Sequence, residues 1–184
     1  MRIIAGRHRG LKLADVGEGD TDAHLRPTAD RVRESLFNML AGGRFGDPVT
    51  GARVLDLFAG TGALGLEALS RGATHVTFVD DGKVAGRLIR DNLRRAGRTD
   101  HATLLAVDAT RLPPAPAPAS LVFLDPPYAK GLGAPALAAA GAGGWLAPGA
   151  LVVWEENAPQ IPPPGFTLAD RRRYGDTWVT VLQG

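Results

Sequence analysis

The stretch with the most specific chemical spacing is Asp125-Pro126-Pro127-Tyr128. Two consecutive prolines fix φ and remove two N–H donors, so the carbonyls before them are held rigidly outward. A carboxylate and a carbonyl converging there form a site that only accepts hydrogen bonds. Such a site suits a planar exocyclic –NH2 group, whose nitrogen is a poor nucleophile because its lone pair is delocalised into the ring. Accepting both hydrogens favours a pyramidal nitrogen and frees that lone pair. It also stabilises the positive charge that develops as the nitrogen attacks an electrophilic methyl. Tyr128 offers a π-face for the ring, and a base in a duplex would first have to be unstacked. The plainer alternative is a Pro-Pro turn after a strand.

A second stretch supplies the complementary half. Val54 to Phe58 is apolar apart from Asp56, the chain breaks at Gly60-x-Gly62-x-x-Gly65, and a helical pattern resumes through Leu66 and Leu69. This reads as strand, tight turn, helix, with the free N–H groups of the helix start favouring an anionic group. The spacing matches a dinucleotide fingerprint, and Asp80 lies at the offset for ribose hydroxyls. Asp56, Gly60 and Gly62 are placed to hold the amino-acid end of a nucleoside cofactor. Asp80 would accept its ribose hydroxyls, and Asp108 with the Ala109 N–H would read an adenine edge. For each acid the alternative is a helix N-cap following a strand.

The elements that must carry these residues alternate. Strands are expected at Val54–Leu57, Thr74–Asp80, Ala102–Val107, Leu121–Leu124 and Ala150–Trp154. Helices are expected at Lys83–Ala96, with Val84, Leu88, Ile89 and Leu93 inward, and at Ala134–Ala142. A final hairpin, Phe166–Tyr174 and Thr177–Leu182, turns at Tyr174-Gly175-Asp176-Thr177. Such alternation predicts a parallel α/β sheet with right-handed crossovers, whose ligands lie at the strand carboxyl ends. Gly60, Asp80, Asp108 and Asp125 all fall there. Before the sheet, Pro27 and Thr28 open a helix through Leu40 with Val32, Leu36, Phe37 and Leu40 on its packed face and Arg31 and Arg33 elsewhere. At the amino end, Ile3-Ile4 and Leu11-Lys12-Leu13 flank a glycine-bounded tip, Gly6-Arg7-His8-Arg9-Gly10. Arg2, Arg7, Arg9 and Lys12 there suit an RNA-phosphate grip, or else are the charges of a solvated edge hairpin. Asp15–His24 reads as a polar, acidic loop, and Leu112–Ser120 as an extended Pro-Ala segment.

With 184 residues and 45% hydrophobic content, one domain is expected: 1–24 a basic hairpin and loop extension, 25–184 a catalytic core. No apolar run reaches membrane-spanning length and Met1-Arg2-Ile3-Ile4 lacks a signal-peptide core, so a cytoplasmic location is expected. There is no cysteine, which excludes disulfides, a thiol nucleophile and thiolate metal sites. The net charge is only +2, but three lysines (Lys12, Lys83, Lys130) stand among 21 basic residues. Arginine suits phosphate forks and base stacking, although a GC-rich genome gives the same bias.

Asp56-x-Phe58-x-Gly60-x-Gly62 with Asp125-Pro126-Pro127-Tyr128 resembles the S-adenosylmethionine-dependent amino-methyltransferases. Met1–Gly6, Arg26-Pro27-Thr28 through Asn38, Leu55–Ala73 and Tyr174–Thr177 are similar to the RsmD family, bacterial enzymes that methylate guanine N2 in 16S ribosomal RNA. The resemblance implies a Rossmann-like methyltransferase fold. Its central, mostly parallel seven-stranded sheet would end in a carboxyl-terminal antiparallel hairpin, with a small amino-terminal β-hairpin. It implies S-adenosylmethionine held by Asp56, Phe58, Ala59, Gly60, Thr61, Gly62, Asp80, Asp81, Asp108, Ala109 and Asp125. The target base would meet Asp125, Pro126, Pro127 and Tyr128. Arg2, Arg7, Arg9, Lys12, Arg26 and Thr28 would face the RNA. The partner would be 16S ribosomal RNA in the 30S subunit or an assembly intermediate, met by a monomer. A sulfonium methyl is already activated, so no metal is required. Adenine N6 in DNA or RNA remains an alternative target for the same acceptor corner. A nicotinamide-dependent oxidoreductase would share the glycine spacing, and a non-catalytic RNA-binding module would share the basic hairpin. Trp145, Trp154, Glu155 and Glu156 either line the base pocket or close the sheet.

Overall fold

Apolar runs covered on both faces read as parallel strands, and they form the centre of the fold. The computed structural model describes residues 1–14 and 30–184; Arg26, Thr28 and the Asp15–His24 loop lie outside the described residues. The strands are β1 (Arg53–Leu57), β2 (His75–Val79), β3 (Ala102–Leu105), β4 (Ala119–Leu124), β5 (Leu146–Glu156), β6 (Thr167–Tyr174) and β7 (Thr177–Gln183). They form one seven-stranded sheet in the order β3-β2-β1-β4-β5-β7-β6. The first five are parallel, and β7 runs antiparallel between β5 and β6. This is the Rossmann-like methyltransferase architecture expected, with the chain reversing from β3 to β4 across β1.

Four α-helices are described: α1 (Asp30–Ala41), α2 (Ala63–Ser70), α3 (Lys83–Ala96) and α4 (Gly133–Ala142). Period-two alternation splits the core. Val54, Leu121, Phe123 and Val153 pack with Phe37 of α1, Leu66 and Leu69 of α2 and Ile89 of α3. Leu55, Leu57, Val122, Leu124 and Val152 pack on the other face with Leu137 of α4 and Trp145. Helix α3 spans the residues expected, with Leu88, Ile89 and Leu93 buried and Val84 half-buried. No helix among the described residues is long and apolar enough to cross a membrane.

Three expectations are corrected. Strand β3 stops at Leu105, not Val107, because pairing with β2 ends there. Strand β5 starts at Leu146 rather than Ala150. Pro148 and Gly149 argue against a strand locally, but a register shift against β4 accommodates them. Arg33 was expected away from the packed face of α1, yet it is 0% exposed. Its guanidinium reaches Asp30 at 2.9 Å and the Arg2 carbonyl, and lies 3.8 Å from Glu67.

Glu67, also fully buried, fixes the amino-terminal segment. Its carboxylate accepts the N–H groups of Ile4 (2.8 Å) and Ala5 (3.0 Å) and the Nε–H of Arg71 (2.7 Å). The hairpin appears as a single antiparallel bridge, Arg2 to Lys12, with Ile3 N–H donating to Leu11 O at 2.9 Å. Its tip is tied to the end of α2: Arg7 N–H donates to Ser70 O (2.8 Å) and His8 N–H to Ser70 Oγ (2.9 Å).

Candidate active site

The parallel register sets the rim. Leu57 pairs with Val79 and Leu124, and Leu124 with Trp154, so the next residues on each strand stand at one level. Backbone bonds continue the ladder past the strand ends. Ala59 N–H donates to Val79 O (3.0 Å), Asp80 N–H to Leu105 O (3.2 Å) and Asp125 N–H to Leu57 O (3.3 Å). Phe58, Asp80 and Asp125 are thereby brought side by side. Asp125 leaves the strand adjacent to β1, about 5 Å across the sheet from the glycine bend, and Asp80 sits about 5 Å to the other side.

The bend between β1 and α2 is strained where a ligand would approach. Phe58 holds φ +59°, and Gly60 and Gly62 hold +55° and +78°. A non-glycine residue there costs about 1–3 kcal/mol, and such strain concentrates at ligand sites. Gly65 serves packing: a Cβ would lie 2.4 Å from the Phe78 ring, so the helix could not sit this close to β2. Gly62 caps α2 without a side chain, leaving the positive end of the helix directed at the rim.

Three carboxylates of this rim have distinct jobs. Asp56 is 1% exposed and accepts the Gly65 N–H at 3.0 Å, which clamps the first turn of α2 to β1. Burial pushes its carboxyl well above the usual range, and the charges of Asp125 and Asp80 push the same way. It is therefore a positioning residue rather than a surface contact. Asp80 accepts the N–H of Gly60 with one oxygen and that of Gly82 with the other, both at 2.8 Å. It stitches the glycine bend to the entry of α3, and each oxygen keeps a lone pair for a hydroxyl. Burial raises its pKa too, partly offset by those two N–H groups. Asp108 behaves differently: Thr110 N–H (2.8 Å) and Thr110 Oγ1 (2.7 Å) both donate to its Oδ1, and these bonds hold its carboxyl below the ordinary range. Asp108 thus caps a turn rather than a helix, with its second oxygen 4.0 Å from Arg111 Nε and Ala109 buried. Asp81 is exposed and Thr61 buried, its carbonyl accepting from Asn92 at 3.1 Å.

The proline corner is braced from β5 and β7. Pro126 is buried, Pro127 exposed, and Asp125 and Tyr128 half-buried. The Tyr128 hydroxyl lies 3.2 Å from Thr177 Oγ1. Ala129 adopts φ +59°, and with Phe58 it completes the left-handed non-glycine residues of the described chain. Glu156, 6% exposed, accepts the N–H of Ala129 (3.2 Å) and of Asn157 (2.9 Å) and so pins that strained turn. Sequence reasoning left Glu156 undecided; a polar end to an otherwise apolar strand at the rim was the available signal. Trp154 belongs to the core, where its ring blocks any side chain at Gly133 (Cβ 2.2 Å away), and Trp145 donates to Pro113 O at 2.8 Å. Both tryptophans close the sheet.

The expected RNA residues are spread out. Arg2, Arg7, Arg9 and Lys12 are exposed. Met1 approaches the glycine bend, its Sδ 3.8 Å from Thr61 Oγ1, whereas Arg7 and Arg9 sit beside Ser70 at the far end of α2. Eight helical residues, about 12 Å, separate the tip from the bend.

The donor set favours a cation-bearing nucleoside. Two buried or half-buried carboxylates and a third at the corner face one helix amino terminus. A ligand carrying a sulfonium, an ammonium and a single carboxylate matches that arrangement. A dinucleotide pyrophosphate would place two negative charges among the acids.

A family model described as conserved hypothetical protein 95 matches residues 1–183. The ribosomal RNA small subunit methyltransferase D of Escherichia coli (strain K12) is 36% identical over 193 aligned positions, covering 100% of this chain and 89% of that protein. Its counterpart from Haemophilus influenzae is 36% identical over 182 positions, covering 95% and 89%. The solved structure of yhhF from Escherichia coli matches with a TM-score of 0.81 at 34% identity, covering 100% of this chain and 97% of that one.

Proposed function

Because the chain belongs to the RsmD family over essentially its whole length, we propose that it is a small-subunit ribosomal RNA methyltransferase acting on guanine N2, with S-adenosylmethionine as the donor. Residues 1–184 act as one catalytic unit, a monomer meeting 16S ribosomal RNA in the small subunit or an assembly intermediate in the cytoplasm. The observation that carries this reading is the β1–β4 register, which sets Asp125 beside the strained glycine bend.

When bound, S-adenosylmethionine supplies a methyl already activated by its positive sulfur. The chain's part is placement and electrostatics. Asp80 holds the ribose hydroxyls with its outer lone pairs while its inner ones fix Gly60 and Gly82. Asp56 and the α2 terminus set the orientation of the amino-acid end. Asp125 and the neighbouring carbonyl accept the two amine hydrogens of the base, which localises the nitrogen lone pair toward the methyl. Tyr128, held by Thr177, stacks on the extruded base. After transfer the nitrogen carries one excess proton, and Asp125 is the nearest acceptor for it. Arg2, Arg7, Arg9, Lys12, Arg26 and Thr28 serve the RNA, with Arg7 and Arg9 reaching beyond the rim.

The test is mass spectrometry of nucleosides from 16S ribosomal RNA of a strain lacking the gene, with and without complementation. N2-methylguanosine should be lost and then restored by the wild-type chain. Loss of N6-methyladenosine instead would transfer the reading to adenine. In purified protein, Asp125→Ala should lower kcat by roughly 10²–10³-fold, the scale of removing one positioned electrostatic partner. Calorimetry should find S-adenosylmethionine affinity nearly unchanged. Lost cofactor binding would move Asp125 out of the proposed role.

A further inference from the structure

We infer that the cleft between α1 and β6 holds the phosphodiester backbone of the RNA beside the extruded nucleotide, with Arg44 and Arg172 as its phosphate contacts. This rests on the RNA methyltransferase reading and extends it to a surface outside the proline corner and the amino-terminal hairpin. The cleft has a volume of about 430 Å³, and its lining includes Ser35, Asn38, Arg44, Arg172 and Tyr174. All five carry polar hydrogen-bonding groups, and two are permanent cations.

Strand β6 creates the arrangement. A register irregularity between Leu168 and Asp170 resets its alternation. Asp170, Arg172 and Tyr174 then turn toward α1, while Arg173 lies over the Trp178 ring and Arg171 donates to Gln160 O at 2.7 Å. Asp170 is the organiser: Arg172 Nε lies 3.0 Å from one oxygen and Arg44 Nη1 3.4 Å from the other. Arg44 also donates to Ala169 O at 2.7 Å. Burial works against the charge on Asp170, but the hydrogen bonds from Arg172 and Arg171 and the charges of Arg172 and Arg44 outweigh it and keep its pKa low. One carboxylate thus orients two guanidiniums and leaves a surplus of one positive charge. Their side chains stay 59% and 47% exposed, so their outer faces meet solvent. Two preset forks with a neighbouring hydroxyl suit a phosphate.

Position selects the ligand. Tyr174 pairs with Thr177, and Thr177 Oγ1 touches the Tyr128 hydroxyl at 3.2 Å. Tyr174 and Thr177 thus link the cleft lining to the base corner, on the opposite side of the sheet from β2 and β3, where the cofactor acids lie. A base entering that corner brings its own polyanionic backbone past this edge.

The experiment compares wild type, Arg44→Ala/Arg172→Ala and Arg172→Lys in methyl transfer to small-subunit particles at several salt concentrations. Melting temperature and S-adenosylmethionine affinity are read in parallel. The double variant should raise the apparent KM for RNA about tenfold with kcat within twofold, and reduce the salt slope by about 0.7 per arginine removed. Arg172→Lys, which keeps a point charge, should fall between. If the double variant fails to bind S-adenosylmethionine, Arg172→Gln alone, which keeps much of the alkyl stem, decides on the same readouts. An unchanged KM and salt slope overturn the cleft while leaving the methyltransferase intact. A raised KM with an unchanged slope also overturns it, since phosphate contact must release counterions. A wild-type chain that methylates no RNA removes the parent reading and this one with it.

Discussion

Asp56 carries a cost in stability. A charge sealed beneath the glycine bend is unfavourable by itself, which is why burial raises its pKa so far. The native chain therefore keeps this proton to a higher pH than the unfolded chain does. Between the ordinary carboxylate range and that raised value the folded state binds more protons, so stability falls as pH rises. Asp56→Asn keeps an oxygen for the Gly65 N–H and removes the charge. It should raise stability at neutral pH by about 1 kcal/mol and flatten the decline seen between acid and neutral pH. Thermal melts from pH 4 to 8 check both. A variant destabilised at neutral pH, or one that keeps the wild-type decline, would mean that burial of the Asp56 carboxyl does not limit stability there.

At the level of elements, the legible parts were those whose residues obey one local rule. Leu121-Val122-Phe123-Leu124 could only be a strand buried on both faces, and Leu88, Ile89 and Leu93 mark one side of a helix. The rim acids were legible for the same reason, since each follows an apolar run. What escaped depends on partners distant in the chain. Arg33 reads as a surface cation until Glu67, contributed by α2, is placed against it; counting i, i+3, i+4, i+7 from Arg33 does reach Leu36, Phe37 and Leu40, but a charged residue is not normally entered in an apolar stripe. Glu156 acquires meaning only when Ala129 turns back over β5. Asp108 stands after β3, as its position predicts, and its bonds to Thr110 lie within its own turn. The Arg33–Glu67 pair predicts how the amino-terminal segment is attached. Glu67→Ala leaves the buried Arg33 guanidinium with Asp30 as its remaining carboxylate and strips the Ile4 and Ala5 N–H groups of their acceptor. It should cost about 3–5 kcal/mol in denaturant unfolding. It should also expose the Arg7 and Arg9 peptide bonds to trypsin under native conditions. Loss of stability with the tip still protected would assign the anchoring to the Ser70 contacts alone.

Across the whole molecule, a net charge of +2 conceals an uneven distribution. Asp56, Asp80, Asp81, Asp108 and Asp125 lie at or next to the strand ends around the proposed cofactor position. Arg2, Arg7 and Arg9 lie on the hairpin beside α2, and Arg171, Arg172 and Arg173 along β6. The two ligands should consequently respond differently to salt. Cofactor binding involves a small, partly enclosed charge and should change little. RNA binding exchanges counterions for side chains, with a slope near −0.7 per phosphate neutralised on a single strand. If Arg2, Arg7, Arg9 and Lys12 each meet one phosphate, the hairpin alone contributes a slope of about −3, or roughly fiftyfold in affinity between 50 and 200 mM salt. Arg7→Ala/Arg9→Ala should remove about half of that contribution. It should leave melting temperature and kcat unaltered, because the tip is exposed and about 12 Å from the bend. Fluorescence anisotropy with a ribosomal RNA fragment across that salt range measures the slope directly. A double variant with the wild-type slope would make these arginines a guard that keeps the hairpin edge from pairing with another chain. RNA contact would then be confined to the rim and to whatever lies along β6.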